Sequence, residues 1–238
     1  MNESARNMLT LPTAQPTLRD NRFHPSGKFA ESPQEEVEQS IPDCFEKIVK
    51  QFPDQIAVKA KNRVVTYAEL NAMANRLAHA VLSQRSTAEK PVGILLEKGV
   101  EQAAAMLGVL KAGKFFILLD AAFPQSRIAA ILADSEANLV ISDRQFSRAI
   151  SRESNSDPSL VLVESSNASD RVLDLDVAIS PADIACISFT SGSTGRPKGV
   201  VHPHRDWSTM ALTVLADFQL PAAPRYLAAT PITHAAVM

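Results

Sequence analysis

The pattern of apolar and polar positions in the first periodic part of the chain predicts a helix, two strands and a second helix. In PDCFEKIVKQFPDQ the apolar residues recur on one helical face, and Pro53 ends that helix. The following segment, QIAVKAKNRVVTY, predicts a strand, a short polar turn and another strand. Thr66 and Glu69 have the spacing of a capping box, so the next helix is expected to begin directly after the second strand.

From residue 91 to residue 142, short apolar runs alternate with helical patterns. PVGILLE, FFILLD and NLVISD are almost entirely apolar, which is typical of strands buried on both faces. Between them lie two helical patterns, the first ending at Gly113, which suits a left-handed terminus, and the second with Ser126 as its expected cap. Short connections between alternating strands and helices predict an α/β fold, with mostly parallel sheets covered by helices.

The two ends of the chain have different patterns from this middle part. Residues 1–40 contain scattered prolines and no sustained periodicity, which favours a mobile leader or a loosely docked arm. The ordered domain is therefore expected to span residues 41–238. After a polar stretch with one strand-like run, LVLVE, the segment DIACISFT predicts a buried strand. GVVHP predicts a returning strand, and a helix containing Trp207 follows.

Composition narrows the class of protein. The chain has 238 residues, 45% of them hydrophobic and 21% charged, as in a soluble globular protein. Its formal net charge of −2 provides no overall basic field for nucleic acid. No apolar run is long enough for a membrane span, and the N-terminus lacks the pattern of a signal peptide, so a cytoplasmic location is expected. Cys44 and Cys186 are both expected to be buried free thiols.

The stretch FTSGSTGRPKG, Phe189 to Gly199, concentrates three of the eight glycines of the chain. Glycines allow backbone N–H groups to converge on a ligand, and hydroxyl groups add further donors. Lys198 supplies a mobile positive charge, and successive N–H groups in a turn form an anion site. The combination suits a polyphosphate, most readily a nucleoside triphosphate. The residues that the preceding strand would bring to such a site run from Thr190 to Gly199, with hydroxyl donors at Ser191, Ser193 and Thr194.

This stretch differs from the two common nucleotide-binding motifs. Pro197 stands where a P-loop has its second glycine, and Lys198 is followed by Gly199 rather than by Ser or Thr. A strand pattern follows the stretch, whereas a P-loop begins a helix. The sequence therefore predicts a phosphate-binding loop between two strands, with a surface turn that binds nothing as the alternative.

The same residues resemble a known family. FTSGSTGRPKG is similar to the signature phosphate-binding loop of the adenylate-forming superfamily, which includes acyl-CoA synthetases, aryl-CoA ligases, luciferases and adenylation domains of peptide synthetases. VTYAELNAMANRLA resembles an early motif of that family, and GVLKAGKFFILLDAAFPQSRI resembles a core motif. The resemblance covers about residues 40–238 and implies the N-terminal portion of the large domain of an adenylate-forming ligase.

The resemblance also implies a reaction. In this family a carboxylate attacks the α-phosphate of Mg²⁺-bound ATP, giving an acyl-adenylate and pyrophosphate, and a thiol of CoA or of a carrier-protein pantetheine then accepts the acyl group. The implied role of the loop is to bind the β- and γ-phosphates and to stabilise the charge of the leaving pyrophosphate. The resemblance assigns this role to Thr190, Ser191, Gly192, Ser193, Thr194, Gly195 and Lys198, with Lys198 as the implied catalytic residue. His234, in ATPITHAAVM, matches a family residue beside the carboxylate substrate. Ala236 and Val237 replace the glycine typical of acyl-CoA ligases, and the Phe-Asp pair of peptide synthetases is absent.

Two further histidines and the length of the chain leave alternatives open. His202 and His204 are two residues apart on a predicted strand, which would place both on one side. They could be metal ligands or bases, but no third ligand is evident, and histidines that are solvated or packed into the core are the favoured alternative. Family members are longer, so the fold is expected to be incomplete. Three hypotheses follow: an N-terminal fragment that is inactive alone, half of a split enzyme that needs a partner chain, and a non-catalytic binding module.

Overall fold

The computed structural model of the chain describes six stretches of residues, namely 38–61, 63–84, 90–150, 158–164, 175–190 and 198–217. The predicted leader lies almost entirely outside these residues. The described part begins with helix α1 (Ile41–Gln51), whose first turn is capped because the backbone N–H of Asp43 donates to the hydroxyl of Ser40. The first described helix therefore begins close to the predicted start of the ordered domain.

A two-stranded antiparallel sheet and a long helix follow α1. Strand β1 (Ile56–Ala60) pairs with β2 (Arg63–Thr66), and helix α2 (Tyr67–Ser83) begins directly after β2. The predicted capping box is confirmed, since the N–H of Glu69 donates to Thr66 Oγ1 at 3.2 Å and the N–H of Thr66 donates to Glu69 Oε2 at 2.8 Å. This pair of bonds satisfies donors that a helix start would otherwise leave without a partner.

The remaining elements form a six-stranded sheet and the helices around it. They are β3 (Val92–Leu95), α3 (Val100–Lys111), β4 (Phe116–Leu119), α4 (Gln125–Asp134), β5 (Leu139–Ser142), α5 (Arg144–Ile150), β6 (Ser159–Leu162), β7 (Ile184–Thr190), β8 (Lys198–Pro203) and α6 (His204–Asp217). The strand order is β6-β5-β3-β4-β7-β8. Every neighbouring pair is parallel except β7 and β8. The predicted α/β class with a mostly parallel sheet is confirmed.

Each face of this sheet has its own apolar core. Alternate residues of the strands, such as Ile94 and Ile141, pack with α2 and α3 on one face. The intervening residues, such as Leu95 and Val140, pack with α4 on the other face. Because both faces are covered, the strands read as continuous apolar runs in the sequence, as expected for a parallel sheet.

The structure confirms one predicted helix terminus and corrects another. Gly113 has a φ of 65° and ends α3, where the N–H of Lys114 donates to the carbonyl of Val109. Ser126, the expected cap of α4, instead lies inside the first turn of that helix. The capping position is Pro124, whose carbonyl accepts from the N–H groups of Arg127 and Ile128. Proline already has the backbone φ that a helix start needs, so the helix begins earlier than expected.

Helices α2 and α3 approach each other most closely at Gly108. A Cβ atom at this position would lie 2.8 Å from the carbonyl oxygen of Ala74 and 2.9 Å from the Cβ of Leu77. Both of those atoms belong to the body of α2 and not to a flexible side-chain end. The close contact between the two helices therefore requires glycine here.

We expect Gly108→Ala to lower the free energy of unfolding by about 1–3 kcal/mol, as overpacking of a core typically does. Alanine favours a helix over glycine by about 1 kcal/mol, so a purely local effect would have the opposite sign. Gly99→Ala is the matched control, because a Cβ there would meet no atom closer than 3.8 Å. Denaturant unfolding of both variants makes the measurement. A Gly108→Ala protein as stable as the unchanged chain would contradict the described contact.

Candidate functional site: the β7–β8 hairpin at the carboxyl edge of the sheet

The predicted phosphate-binding stretch connects the last two strands of the sheet. Strand β7 runs parallel to β4, with Phe116 opposite Cys186 and Ile117 opposite Ile187. The carboxyl end of β7 therefore lies at the same edge of the sheet as the carboxyl ends of β3, β4 and β5. In open α/β sheets, ligands bind at this edge. The fold therefore places Thr190 at the edge of the sheet where ligand sites usually lie.

Strand β8 returns antiparallel to β7 and closes the stretch into a hairpin. Thr190 is the pairing partner of Lys198, and Phe189 is the partner of Gly199. Antiparallel partners have their Cα atoms about 4.5–5.5 Å apart, so the two ends of the stretch are fixed side by side. Its middle, with Ser191, Gly192, Ser193, Thr194 and Gly195, lies outside the described residues. The predicted strands before and after this stretch are confirmed.

The two described ends of the hairpin have different surroundings. The side chain of Lys198 is exposed at the edge of the sheet. At Gly199, an added Cβ would lie 3.1 Å from Ile187 Cγ2 and 3.6 Å from the ring of Phe189. Glycine therefore lets the two side chains of β7 lie across β8. Lys198 is left with access to solvent and to a ligand at the edge.

A turn between β4 and α4 lies at the same edge. Asp120 Oδ1 accepts the N–H of Ala122 at 2.8 Å, and the carbonyl of Asp120 accepts the N–H of Phe123. The guanidinium of Arg127 lies 4.1 Å from the centre of the Phe123 ring, a cation–π contact. These contacts give Asp120 and Arg127 structural roles within the core motif of the sequence.

The opposite side of the hairpin holds a polar pair formed by His202 and by Ser188, which the sequence analysis does not single out. Ser188 Oγ and His202 Nε2 share a hydrogen bond of 2.8 Å across the two strands. The His202 ring also lies 5.9 Å from the ring of Trp207 on α6. Nearby, burial raises the pKa of the Cys186 thiol to about 11, although a hydrogen bond with Trp207 lowers it. Cys186 is thus the buried, protonated thiol that the sequence predicts, whereas Cys44 is only partly buried.

His204 lies at the other end of β8 and joins three elements. Only 1% of the residue is exposed. Its Nδ1 accepts the N–H of Ile41, the first residue of α1, at 3.2 Å, and its own backbone N–H donates to the carbonyl of Asp183 ahead of β7. Burial lowers the pKa of His204, while the charges of Asp183 and Asp43 act in the opposite direction. A neutral imidazole is what the bond from Ile41 requires.

The prediction that His202 and His204 lie on one strand is wrong. Strand β8 ends at Pro203, and His204 begins α6. Among the described residues no three His, Cys, Asp or Glu side chains lie close enough together to hold a metal ion. The two histidines stabilise the packing around β8. The sequence allows such a packing role but does not identify the partners, because Ser188 and Ile41 depend on strand register and on contacts distant in sequence.

Comparisons with known proteins agree with this geometry. The chain belongs to the AMP-binding enzyme family, whose model matches residues 45–238. It is 36% identical over 166 residues to tyrocidine synthase 1 of Brevibacillus parabrevis, covering 70% of this chain and 15% of that protein. It is 34% identical over 187 residues to bacitracin synthase 2 of Bacillus licheniformis, covering 78% of this chain and 7% of that protein.

A solved structure with a similar fold also matches the chain. A nonribosomal peptide synthetase, FmoA3, in a form with AMPPNP bound, matches with a TM-score of 0.76 and 26% identity over 86% of this chain and 21% of that one. The described fold is the N-terminal portion of an adenylate-forming domain. The chain spans only a small part of the relatives it matches. None of the described helices combines the length and the apolar composition that a membrane-spanning segment requires.

We expect the chain to lose stability as the pH falls below the ordinary histidine pKa of 6.5, in part because of His204. The folded state keeps this side chain neutral, so its pKa lies below the ordinary value of 6.5. As the pH falls, the unfolded chain binds a proton at this residue before the folded chain does. The contribution is present above the unfolded pKa and is lost as the pH falls towards the folded pKa.

His204→Asn separates this contribution from the other titrations, since the amide oxygen of asparagine can accept the same N–H of Ile41 without titrating. The free energy of unfolding of the variant, measured across the same pH range, should fall less steeply than that of the unchanged chain. Equal slopes for the two proteins would contradict the assignment.

Proposed function

We propose that this chain is part of an ATP-dependent ligase that activates a carboxylate as an acyl-adenylate. In the proposed site, the loop from Thr190 to Gly199 binds the β- and γ-phosphates of ATP. The backbone N–H groups and hydroxyls of Ser191, Gly192, Ser193, Thr194 and Gly195 are the proposed donors. The proposed role of Lys198 is to place its positive charge against the phosphates.

The observation that carries this proposal is the pairing of Thr190 with Lys198 at the carboxyl edge of the sheet. A hairpin closed at its base restricts the backbone of the loop, which reduces the entropy lost when its donors converge on a ligand. Membership of the AMP-binding family supports a nucleotide ligand. The related structure with AMPPNP bound supports ATP in particular.

The proposed chemistry is a displacement at phosphorus. A carboxylate oxygen of the substrate attacks the α-phosphorus, and the bond between that phosphorus and the oxygen bridging to the β-phosphate breaks. The electron pair leaves with pyrophosphate, where negative charge accumulates. In the proposed mechanism, the donors of the loop and the charge of Lys198 stabilise the developing charge more than they stabilise bound ATP, which lowers the barrier. Mg²⁺ would enter with the phosphates of ATP and neutralise part of their charge.

We further propose that a thiol accepts the acyl group from the adenylate and that AMP leaves. The peptide synthetases among the relatives favour a carrier-protein pantetheine as the thiol, with CoA as the alternative. His234, which lies outside the described residues, is the proposed contact for the carboxylate substrate. A cytoplasmic location follows from the need for ATP. Because the chain spans a small part of its relatives, we propose that it needs further polypeptide, within one chain or from a partner, for turnover.

We expect Lys198→Ala to weaken binding of Mg²⁺–ATP and of inorganic tripolyphosphate by about tenfold or more, which corresponds to about 1.4 kcal/mol for one charge-assisted contact. Lys198 is exposed, so the melting temperature should change little. Lys59→Ala is the matched control, because Lys59 is an exposed lysine on the separate two-stranded sheet. Isothermal titration of the three proteins makes the comparison. Equal affinities for the unchanged chain and Lys198→Ala would contradict the phosphate role.

The same variant tests turnover when the remaining part of an adenylation domain is supplied. Carboxylate-dependent exchange of pyrophosphate into ATP should then fall by about a hundredfold or more in Lys198→Ala, the range seen when one group that stabilises a transition state is removed. The chain alone should show no exchange. Exchange by the chain alone would show that it needs no further polypeptide. Unchanged exchange in Lys198→Ala would remove the proposed catalytic role.

A further inference from the structure

Strand β8 lies at one end of the strand order, where it pairs with β7. Its valine side chains bury little area, since Val200 is 41% exposed and Val201 is 50% exposed. An apolar side chain stabilises a fold in proportion to the area that it removes from water. Within the part of the chain that the structure describes, hydrogen bonds to β7 therefore account for much of what keeps β8 in place.

One of these hydrogen bonds joins two side chains. Ser188 Oγ on β7 and His202 Nε2 on β8 lie 2.8 Å apart. In the strand pairing Ser188 is opposite Val200, and Cys186 is opposite His202, so the bond runs diagonally between two successive residue pairs. Its length changes when the strands separate and also when one strand slides along the other. The bond therefore helps to fix the register of the hairpin.

Contacts with helix α6 hold the imidazole in place. The ring of His202 lies 5.9 Å from the ring of Trp207, at an interplanar angle of 57°. Trp207 also forms a hydrogen bond with the side chain of Cys186 on β7. One indole side chain of α6 thus contacts both strands, at the residue pair next to Ser188. This arrangement keeps the imidazole where it reaches the serine hydroxyl.

The serine–histidine bond lies on the same face of the hairpin as Lys198. Alternate residues of a strand point to one face, so Lys198, Val200 and His202 share a face of β8. At the base of the proposed phosphate loop, Lys198 pairs with Thr190. Along their strands, Ser188 is about 7 Å and His202 about 13 Å from this pair. The bond is therefore located between the base of the loop and the contact with α6.

We propose that Ser188 and His202 are positioning residues for phosphate binding, an inference that rests on the proposed function of the hairpin. Their hydrogen bond fixes the register of β8 against β7, and this register determines where the amine of Lys198 lies relative to the loop. Both residues act through Lys198 rather than by contact with the ligand. In enzymes a misplacement of about 1 Å can lower a rate about a hundredfold, so a small change of register at the base matters at the site.

Isothermal titration of inorganic tripolyphosphate into the full chain tests this role. We expect Ser188→Ala and His202→Leu each to weaken binding by about threefold to tenfold, as the loss of one neutral hydrogen bond would. His202→Gln is the conservative variant, because its amide places a hydrogen-bonding group near the position of Nε2, and it should retain most of the affinity. The double variant Ser188→Ala with His202→Leu should bind no more weakly than either single variant, since the two side chains act through one bond.

Two comparisons separate positioning from a general loss of stability. Ser135→Ala removes a hydroxyl that donates at 2.7 Å to the carbonyl of Ile131 in α4, so it should destabilise the fold without changing the affinity. In a Lys198→Ala background, Ser188→Ala should have no further effect on the affinity, because the residue through which it acts is missing. A role confined to stability would give Ser188→Ala the same effect in both backgrounds.

The results distinguish this inference from the proposed function. If Lys198→Ala weakens binding but Ser188→Ala and His202→Leu do not, the positioning role is overturned and the phosphate role of the hairpin stands. The positioning role is also overturned if Ser135→Ala weakens binding as much, or if the effects of Ser188→Ala and Lys198→Ala add. If the unchanged chain binds no tripolyphosphate, or if Lys198→Ala binds it equally well, the proposed function fails and this inference fails with it.

Discussion

The pairing of β7 on both of its edges is the constraint on which the proposed site depends. On one edge β7 is parallel to β4, which places its carboxyl end where ligand sites form. On the other edge β8 pairs antiparallel and brings Lys198 beside Thr190. A loop of glycines and hydroxyls would have little power to bind an anion if its ends were free, because ordering it would cost conformational entropy at each residue. Because the two ends of the loop are already fixed when the sheet forms, less conformational entropy remains to be lost when a ligand binds.

Contacts distant in sequence hold this sheet and its helices together. His204 connects the start of α1 to the segment ahead of β7, and buried Lys111 of α3 forms an ion pair with Glu46 of α1 at 2.5 Å. Both contacts attach α1 to the elements that carry the sheet. The glycine at position 108 lets α3 lie directly against α2. The proposed loop is therefore supported by a framework whose parts depend on one another, and a change far from the loop can alter its base.

Much of the fold could be predicted from the sequence, because local patterns determine it. Apolar runs marked the strands of the parallel sheet, Thr66 and Glu69 marked a helix start, and Gly113 marked a helix end. The failures came where two local signals competed or where distant residues meet. A proline displaced Ser126 from the capping position, and His204 proved to begin a helix and to bind the first turn of α1. The hydrogen bond between Ser188 and His202 depends on the strand register, which periodicity alone does not supply.

The most direct measurement of the central claim is the change in backbone amide resonances when Mg²⁺–ATP is added to the isotope-labelled chain. The account predicts that the amides of Thr190, Lys198, Gly199 and the glycines between them shift in a saturable way. It also predicts that the amides of Ile184 and His204, at the far end of the same hairpin, shift little. Saturable shifts confined to another part of the chain, or no shifts at ATP concentrations in the millimolar range, would contradict the assignment of this hairpin as the phosphate site.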